Sequence, residues 1–295
     1  MKVLCFDVGC TDIKYGVCED GQILFKKKTP TAVELGLENF KQTLSQIVDD
    51  ITKEMDIKLV GVSCAGSVDI YQSKIVVCPD NAPWLDNFDF KTFFKDKHNL
   101  DCYADNDVNC FGIAEMNAGN GQKYEHFLMM TVGTGIGGAI IMKKELWRGP
   151  NFNAGEFGRM SLYGETNFES LAATSALVRS AKKAGLKVSN GQDVFELYDK
   201  GDPIADVIVG KFYRNLALGI ANLVYAFNPQ SIIIGGGITN RENFIEELDT
   251  ILKIELHQSF YETVVVQRSH FKNDGGMLGA YYLATQSFKE NENGR

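Results

Sequence analysis

The stretch Asp7-Val-Gly-Cys-Thr-Asp-Ile-Lys-Tyr15 decides the fold. The apolar run Val3-Leu-Cys-Phe6 leads into it, and the alternating Ile13, Tyr15 and Val17 lead out, a pattern of strand, tight loop and strand. Gly9 lets the backbone approach a ligand closely, Thr11 offers a hydroxyl, Lys14 a charge, and Asp7 an acid able to hold a metal through water. Such a set suits a phosphate. A second stretch of the same design is Thr131-Val-Gly-Thr-Gly-Ile-Gly-Gly-Ala-Ile-Ile141, preceded by the apolar run Phe127 to Met130. Two such hairpins in one chain suggest an internal duplication and favour nucleotide phosphate over a glycine turn without a ligand. Gly133, Gly135 and Gly138 also match G-x-G-x-x-G. That fingerprint opens a helix and is followed by an acid about 20 residues on, whereas Ala139-Ile-Ile-Met142 continues as strand, so a nicotinamide oxidoreductase fails on context.

At 295 residues the chain suits two domains with sizeable cores. Its formal net charge of −8 and pI near 5.1 oppose nucleic acid as a main partner, because phosphate backbones need basic surface. Met1-Lys-Val3 opens no signal peptide, and no window reads as a membrane span. Seven cysteines, all at or before Cys110 and without a C-x-x-C pair, read as reduced thiols of a cytoplasmic protein with no zinc spacing.

Along the chain, apolar spacings of three and four make Leu35 to Met55 an amphipathic helix. Leu59 to Cys64 reads as a buried strand ending in the turn Ala65-Gly-Ser-Val-Asp69, and carboxyl ends of such strands are where α/β proteins bind ligands. Two prolines stiffen the loop Cys78 to Trp84. The strand Leu100 to Ala104 delivers Asp105-Asn-Asp107 to the start of a helix, where helix capping alone accounts for an acid. Helices are expected over Ser170 to Ala184, Val194 to Tyr198, Ala205 to Phe227 and Phe244 to Leu256, strands over Ser231 to Gly235 and Val264 to Gln267, and a disordered charged tail after Phe288.

The first loop resembles the D-x-G-G-T-x-x-K phosphate element of the ROK family (repressor, open reading frame, kinase), with Cys10 where that element has its second glycine. The second resembles the same family's L-G-T-G-I-G-G element. The resemblance implies a two-domain α/β fold of the actin-like type (sugar kinase, heat-shock protein, actin) with an interdomain cleft. It places an N-terminal domain at 1–117, a C-terminal domain at 118–276, and a last helix near 277–290 packing back on the first. It also implies ATP-dependent phosphorylation of a hexose 6-hydroxyl, with Mg²⁺ and a homodimer. The acceptor stays open among glucose, β-glucosides and N-acetylmannosamine.

The site residues carry over one motif at a time. ATP would be held by Asp7, Gly9, Thr11 and Lys14, by Thr131, Gly133, Thr134, Gly135 and Gly137, and by the turn Gly235-Gly236-Gly237, which resembles the adenosine turn. Gly66 and Ser67 lie in a turn like the sugar-side P-G-x-V-D, and Asn81 in a loop like N-x-P-x-W. Asn106-Asp-Val-Asn109 resembles N-D-x-N, in which the Asp is the catalytic base, here Asp107, and Asn106 contacts sugar. Glu156 falls in a segment like A-G-E-x-G-H, and Glu169 where the family's last motif acid meets the sugar's anomeric end. Arg159 replaces the family histidine and the zinc-binding cysteine cluster is missing, so no zinc is expected, an arginine being unable to ligate a metal. Its guanidinium would pair with Glu169 or donate to substrate. A sugar-sensing regulator or an inactive sugar-binding member of the family is the alternative, and the former would carry a DNA-binding segment ahead of the first loop.

Overall fold

The computed structural model describes residues 1–78 and 82–294, in two compact units. Unit 1 contains Met1–Gly119, Arg148–Asn153 and the chain from Asp274 on; unit 2 contains Asn120–Trp147 and Ala154–Asn273.

Unit 1 opens with β1 (Val3–Val8), β2 (Asp12–Glu19), β3 (Gln22–Pro30) and α1 (Gly36–Thr52). It continues through β4 (Leu59–Cys64), β5 (Ser67–Asp69), β6 (Lys74–Val77), α2 (Phe90–His98), β7 (Asp101–Asn106) and α3 (Asp107–Ala118). The main sheet runs β3-β2-β1-β4-β7, antiparallel at the first hairpin and parallel from β1 to β7. β4 is buried along its whole length, which fits its uninterrupted apolar and small residues. The amphipathic stripe of α1 buries Phe40, Leu44, Ile47, Val48 and Ile51. Phe40 then packs edge-on with Phe88 and Phe90, and Trp84 packs on Phe40 and donates to the Val33 carbonyl at 2.9 Å.

Unit 2 repeats that sheet. Its strands are β8 (Phe127–Val132), β9 (Ile136–Met142), β10 (Glu145–Trp147), the small hairpin β11 (Ser161–Tyr163) and β12 (Thr166–Asn167), β13 (Ser231–Gly235) and β14 (Val265–Arg268). The main order is β10-β9-β8-β13-β14, again two antiparallel pairings followed by parallel ones. Its helices are α4 (Phe168–Ala172), α5 (Thr174–Lys183), α6 (Gly191–Asp199), α7 (Pro203–Phe227), α8 (Phe244–Glu255) and α9 (Gln258–Tyr261). The chain closes in unit 1 with α10 (Gly275–Glu292). There α10 lies directly on β4 and α3: a Cβ on Gly61 would meet the Ala280 carbonyl, and one on Gly279 the Cys110 carbonyl.

Four local expectations change. The turn after Cys64 contains a strand, β5, because Ser67 to Asp69 pairs with Lys74 to Val77. The helix expected over Ser170 to Ala184 is two, broken where Ala173 takes an extended ψ of 157° so that the Thr174 amide can donate to the Gly133 carbonyl at 2.8 Å. The charged tail is helical to Glu292, and Asn291 donates to the Tyr103 hydroxyl at 3.0 Å. Finally, α7 is long and apolar enough to pass as a membrane span, against the sequence reading. Just over half of its apolar window is buried, with Val209, Phe212, Leu216, Ile220 and Val224 inside the unit 2 core.

Candidate functional site

In unit 1 the candidate residues gather at the carboxyl ends of parallel strands. Asp7 of β1 is in register with Ser63 of β4, and Ser63 with Asp105 of β7. The Ser63 hydroxyl donates to Asp7 Oδ1 at 2.9 Å, and Lys14, across the hairpin in register with Asp7, donates to Oδ2 at 2.9 Å. The loop between β1 and β2 is tied by Gly9 N–H to the Asp12 carbonyl at 3.1 Å and by the Thr31 hydroxyl to the Gly9 carbonyl at 2.6 Å. A Cβ at Gly9 would come within 3.2 Å of that Asp12 oxygen, while Thr11 is exposed. Cys10 keeps a negative φ, so this backbone makes no demand for the glycine that the motif has there.

The end of β7 carries the second cluster. Asn106 is the N-cap of α3, its Oδ1 accepting from the Val108 and Asn109 amides, which makes capping the work of the asparagine. Its Nδ2 donates to the Gly66 carbonyl and to Asp107 Oδ1, each at 3.0 Å. Asp107 Oδ1 also accepts the Val108 amide at 2.9 Å, so the carboxylate is held at the first turn of α3. Gly66 has φ +98°, the left-handed backbone that lets its carbonyl face Asn106, and the Ser67 hydroxyl donates to Asn153 Oδ1 at 2.5 Å. Burial drives the Cys64 and Cys110 thiols well above the usual thiol range, and the charges of Asp105 and Asp107 add to it. Both thiols therefore stay protonated beside the carboxylates. Asn81 lies outside the described residues.

In unit 2 the second hairpin borders a cavity of roughly 1210 Å³. Gly133 and Thr134 line it from the loop, Thr174 and Ser175 from the start of α5, Asn190 and Gly191 from the start of α6, and Gly237 from the triple glycine. The α5 terminus is fastened to the loop by the Thr174 amide and by the Ser175 hydroxyl donating to the Thr134 carbonyl at 2.6 Å. Thr131, Gly137 and Gly235 sit side by side in the sheet rather than at the cavity wall. The glycines of the turn divide their work. Gly236 has φ +89° and leaves no room for a Cβ against the Val132 backbone; a Cβ on Gly237 would enter open space. The far wall is stiffened by Arg241, which donates to Asp199 and Glu247 and lies 4.6 Å over the Phe195 ring.

The carboxylates of this unit are arranged differently from expectation. Arg159 pairs with Glu156, Nε to Oε2 at 3.4 Å, and not with Glu169. Glu169, in the first turn of α4, turns its Oε2 to accept the Ile136 amide at 2.8 Å, and a Cβ on Gly135 would collide with it. Gly138 and Gly155 pack backbone to backbone, which draws the Glu156 segment against the hairpin and explains the third glycine of the dinucleotide-like pattern. Asp105, Arg148 and the α5 and α6 walls were not marked by the sequence reading. Only the Asn190-x-x-Asp193 capping box carried a local signal there.

Comparison with known proteins adds a family. The ROK family model matches residues 3–287. A beta-glucoside kinase of Listeria innocua is 32% identical over 303 residues, covering 99% of this chain and 100% of that protein. A ROK hexokinase of Thermus thermophilus superposes with TM-score 0.84 at 29% identity, over 98% of this chain and 100% of that one. A ROK glucokinase of Streptomyces griseus, solved in complex with glucose and AMPPNP, does so with TM-score 0.83 at 25% identity, over 97% and 100%.

Proposed function

The chain belongs to the ROK family, with the actin-like ATPase fold of its structural neighbours, and on that premise we propose that it transfers the γ-phosphoryl group of ATP to the 6-hydroxyl of a hexose. The observation that carries the reading is Asp107, a carboxylate locked at a helix start by the Asn106 amide and the Val108 amide. Asp107 accepts the hydroxyl proton as that oxygen attacks phosphorus. The bond from phosphorus to the β-phosphate oxygen breaks, leaving sugar 6-phosphate and ADP. Such transfer depends on alignment and charge stabilisation more than on covalent chemistry.

Unit 1 offers the nucleotide the Gly9 to Thr11 loop and Lys14. Asp7 is 16% exposed and both its oxygens already accept hydrogen bonds, so it fits the hydration shell of a Mg²⁺ that arrives with the nucleotide better than direct ligation. That ion would neutralise phosphate charge. Unit 2 offers the cavity beside Gly133, Thr134 and Gly237 to ribose and base. Glu156, partnered by Arg159, is the carboxylate for sugar hydroxyls. Asn106 and Glu169 act chiefly by holding Asp107 and the second loop.

Coupled measurement of ADP release with glucose, a β-glucoside and N-acetylmannosamine is expected to show turnover on at least one of them. Tight sugar binding with no ADP release from any would sink the reading and leave a sugar-binding protein. Gly237→Val tests the nucleotide cavity. Its side chain has open space, so the fold should hold, while filling the cavity costs about 1–3 kcal/mol of nucleotide binding, or about 5- to 150-fold in KM for ATP. An unchanged KM for ATP would place the nucleotide elsewhere.

A further inference from the structure

Arg148 enters unit 1 in a strap of six residues, 148–153, whose neighbours in the chain on both sides belong to unit 2. The strap is fastened at three points. Asn153 accepts the Ser67 hydroxyl, Phe152 meets the Tyr71 ring edge-on at 6.0 Å, and the Arg148 guanidinium takes Asp105 Oδ2 side-on, Nε at 2.7 Å and Nη2 at 2.6 Å. Asp105 is 1% exposed, and an ionised carboxylate so deeply buried needs such a partner.

The other oxygen of Asp105 organises the first residues of α3 and its cap. Oδ1 accepts the Asn106 amide at 2.7 Å and the Asn109 Nδ2 at 2.9 Å. Asn109 makes that bond at a cost, since its own Oδ1 is buried without a partner. The reverse orientation would set that oxygen against a carboxylate, so the charge of Asp105 fixes the amide. Asn106, aligned in turn, caps α3 and donates to Asp107.

From this succession we infer that Arg148 and Asp105 are positioning residues for the Asp107 carboxylate. Arg148 holds Asp105, Asp105 fixes the Asn106 backbone and the Asn109 side chain, and Asn106 holds Asp107. The inference rests on Asp107 being the base. Neither residue of the pair touches substrate in this scheme, so its loss acts on kcat and not on binding.

The test compares Asp105→Asn, Arg148→Met, Arg148→Lys and the double variant Asp105→Asn/Arg148→Met by kcat, by KM for hexose and ATP, and by Tm. A carboxylate displaced by about 1 Å costs about 10²-fold, and that fall in kcat is expected in each neutralised single variant with both KM values unchanged. The double variant should fall no further, because the two residues act through one contact. Arg148→Lys keeps the charge but loses the side-on pair, and should recover Tm and only part of kcat. If Arg148→Met does not fold for want of a partner to Asp105, the double variant, with no unpaired buried charge, decides alone. Wild-type kcat in the double variant, or a loss confined to KM, overturns the inference. Asp107→Asn run alongside separates the two claims: an active Asp107→Asn removes the base assignment, whereas an inactive one beside a fully active double variant removes only the positioning role.

Discussion

Asp107→Asn is expected to lower kcat by about 10²- to 10⁴-fold, the range of general-base catalysis, with hexose affinity by calorimetry unchanged. The substitution is close to isosteric. An asparagine Oδ1 can still accept from Val108 N–H and from Asn106 Nδ2, so the start of α3 should keep its geometry. What is lost is proton affinity. A residual rate above roughly a tenth of wild type would contradict the assignment, because alignment by the rest of the site would then account for catalysis without a base. A matching fall in hexose affinity would argue instead that Asp107 binds the sugar in the ground state.

Phe168→Ala is expected to destabilise the protein by about 3–5 kcal/mol, measured by urea unfolding. Phe168 is fully buried, its amide donates to the Met160 carbonyl at 2.7 Å, and its ring fills the space that a Cβ on Gly219 would take on α7. The void left by truncation is bounded by the backbone of a long helix, which cannot collapse into it. Phe168 is also adjacent to Glu169, so loosening it should free the carboxylate that holds Ile136. A loss under about 1 kcal/mol would mean that α4 repacks and that Phe168 is not the anchor of this corner.

Both hairpins could be read from the chain because everything that makes them is local. Glycine and threonine between two β-branched or apolar runs fix the turn, and the run after Gly135 could not be helical with Ile136, Ala139, Ile140 and Ile141 continuing as strand. The strand and helix that meet at the tip of β7 were legible for the same reason, but their local pattern suits capping for any acid there; only the resemblance to N-D-x-N singled out Asp107, and the cap itself is Asn106. Contacts across sequence were not. Nothing near Glu169 announces the amide of Ile136, 33 residues away, and nothing near Asp105 announces Arg148, 43 residues on. The cavity walls on α5 and α6 carry ordinary amphipathic patterns; they become walls because the break at Ala173 turns the start of α5 onto the Gly133 loop. The tail differs from its expectation because helix hydrogen bonding runs on past the last apolar residue, Phe288, through exposed polar residues to Glu292, with Asn291 held by the Tyr103 hydroxyl, a contact across sequence that charge alone does not announce.

The placement of α10 bears on how the protein is made. Residues 120–273 contain all of unit 2, interrupted only by the excursion 148–153 into unit 1, and they leave the ribosome before α10 does. The face of β4 and the side of α3 that α10 covers are bare until then, with Gly61 shaped for a helix not yet synthesised. Vectorial synthesis thus reverses the order of the units: the later-encoded one can close first, while the unit bearing Asp107 waits on the nascent chain for its final helix.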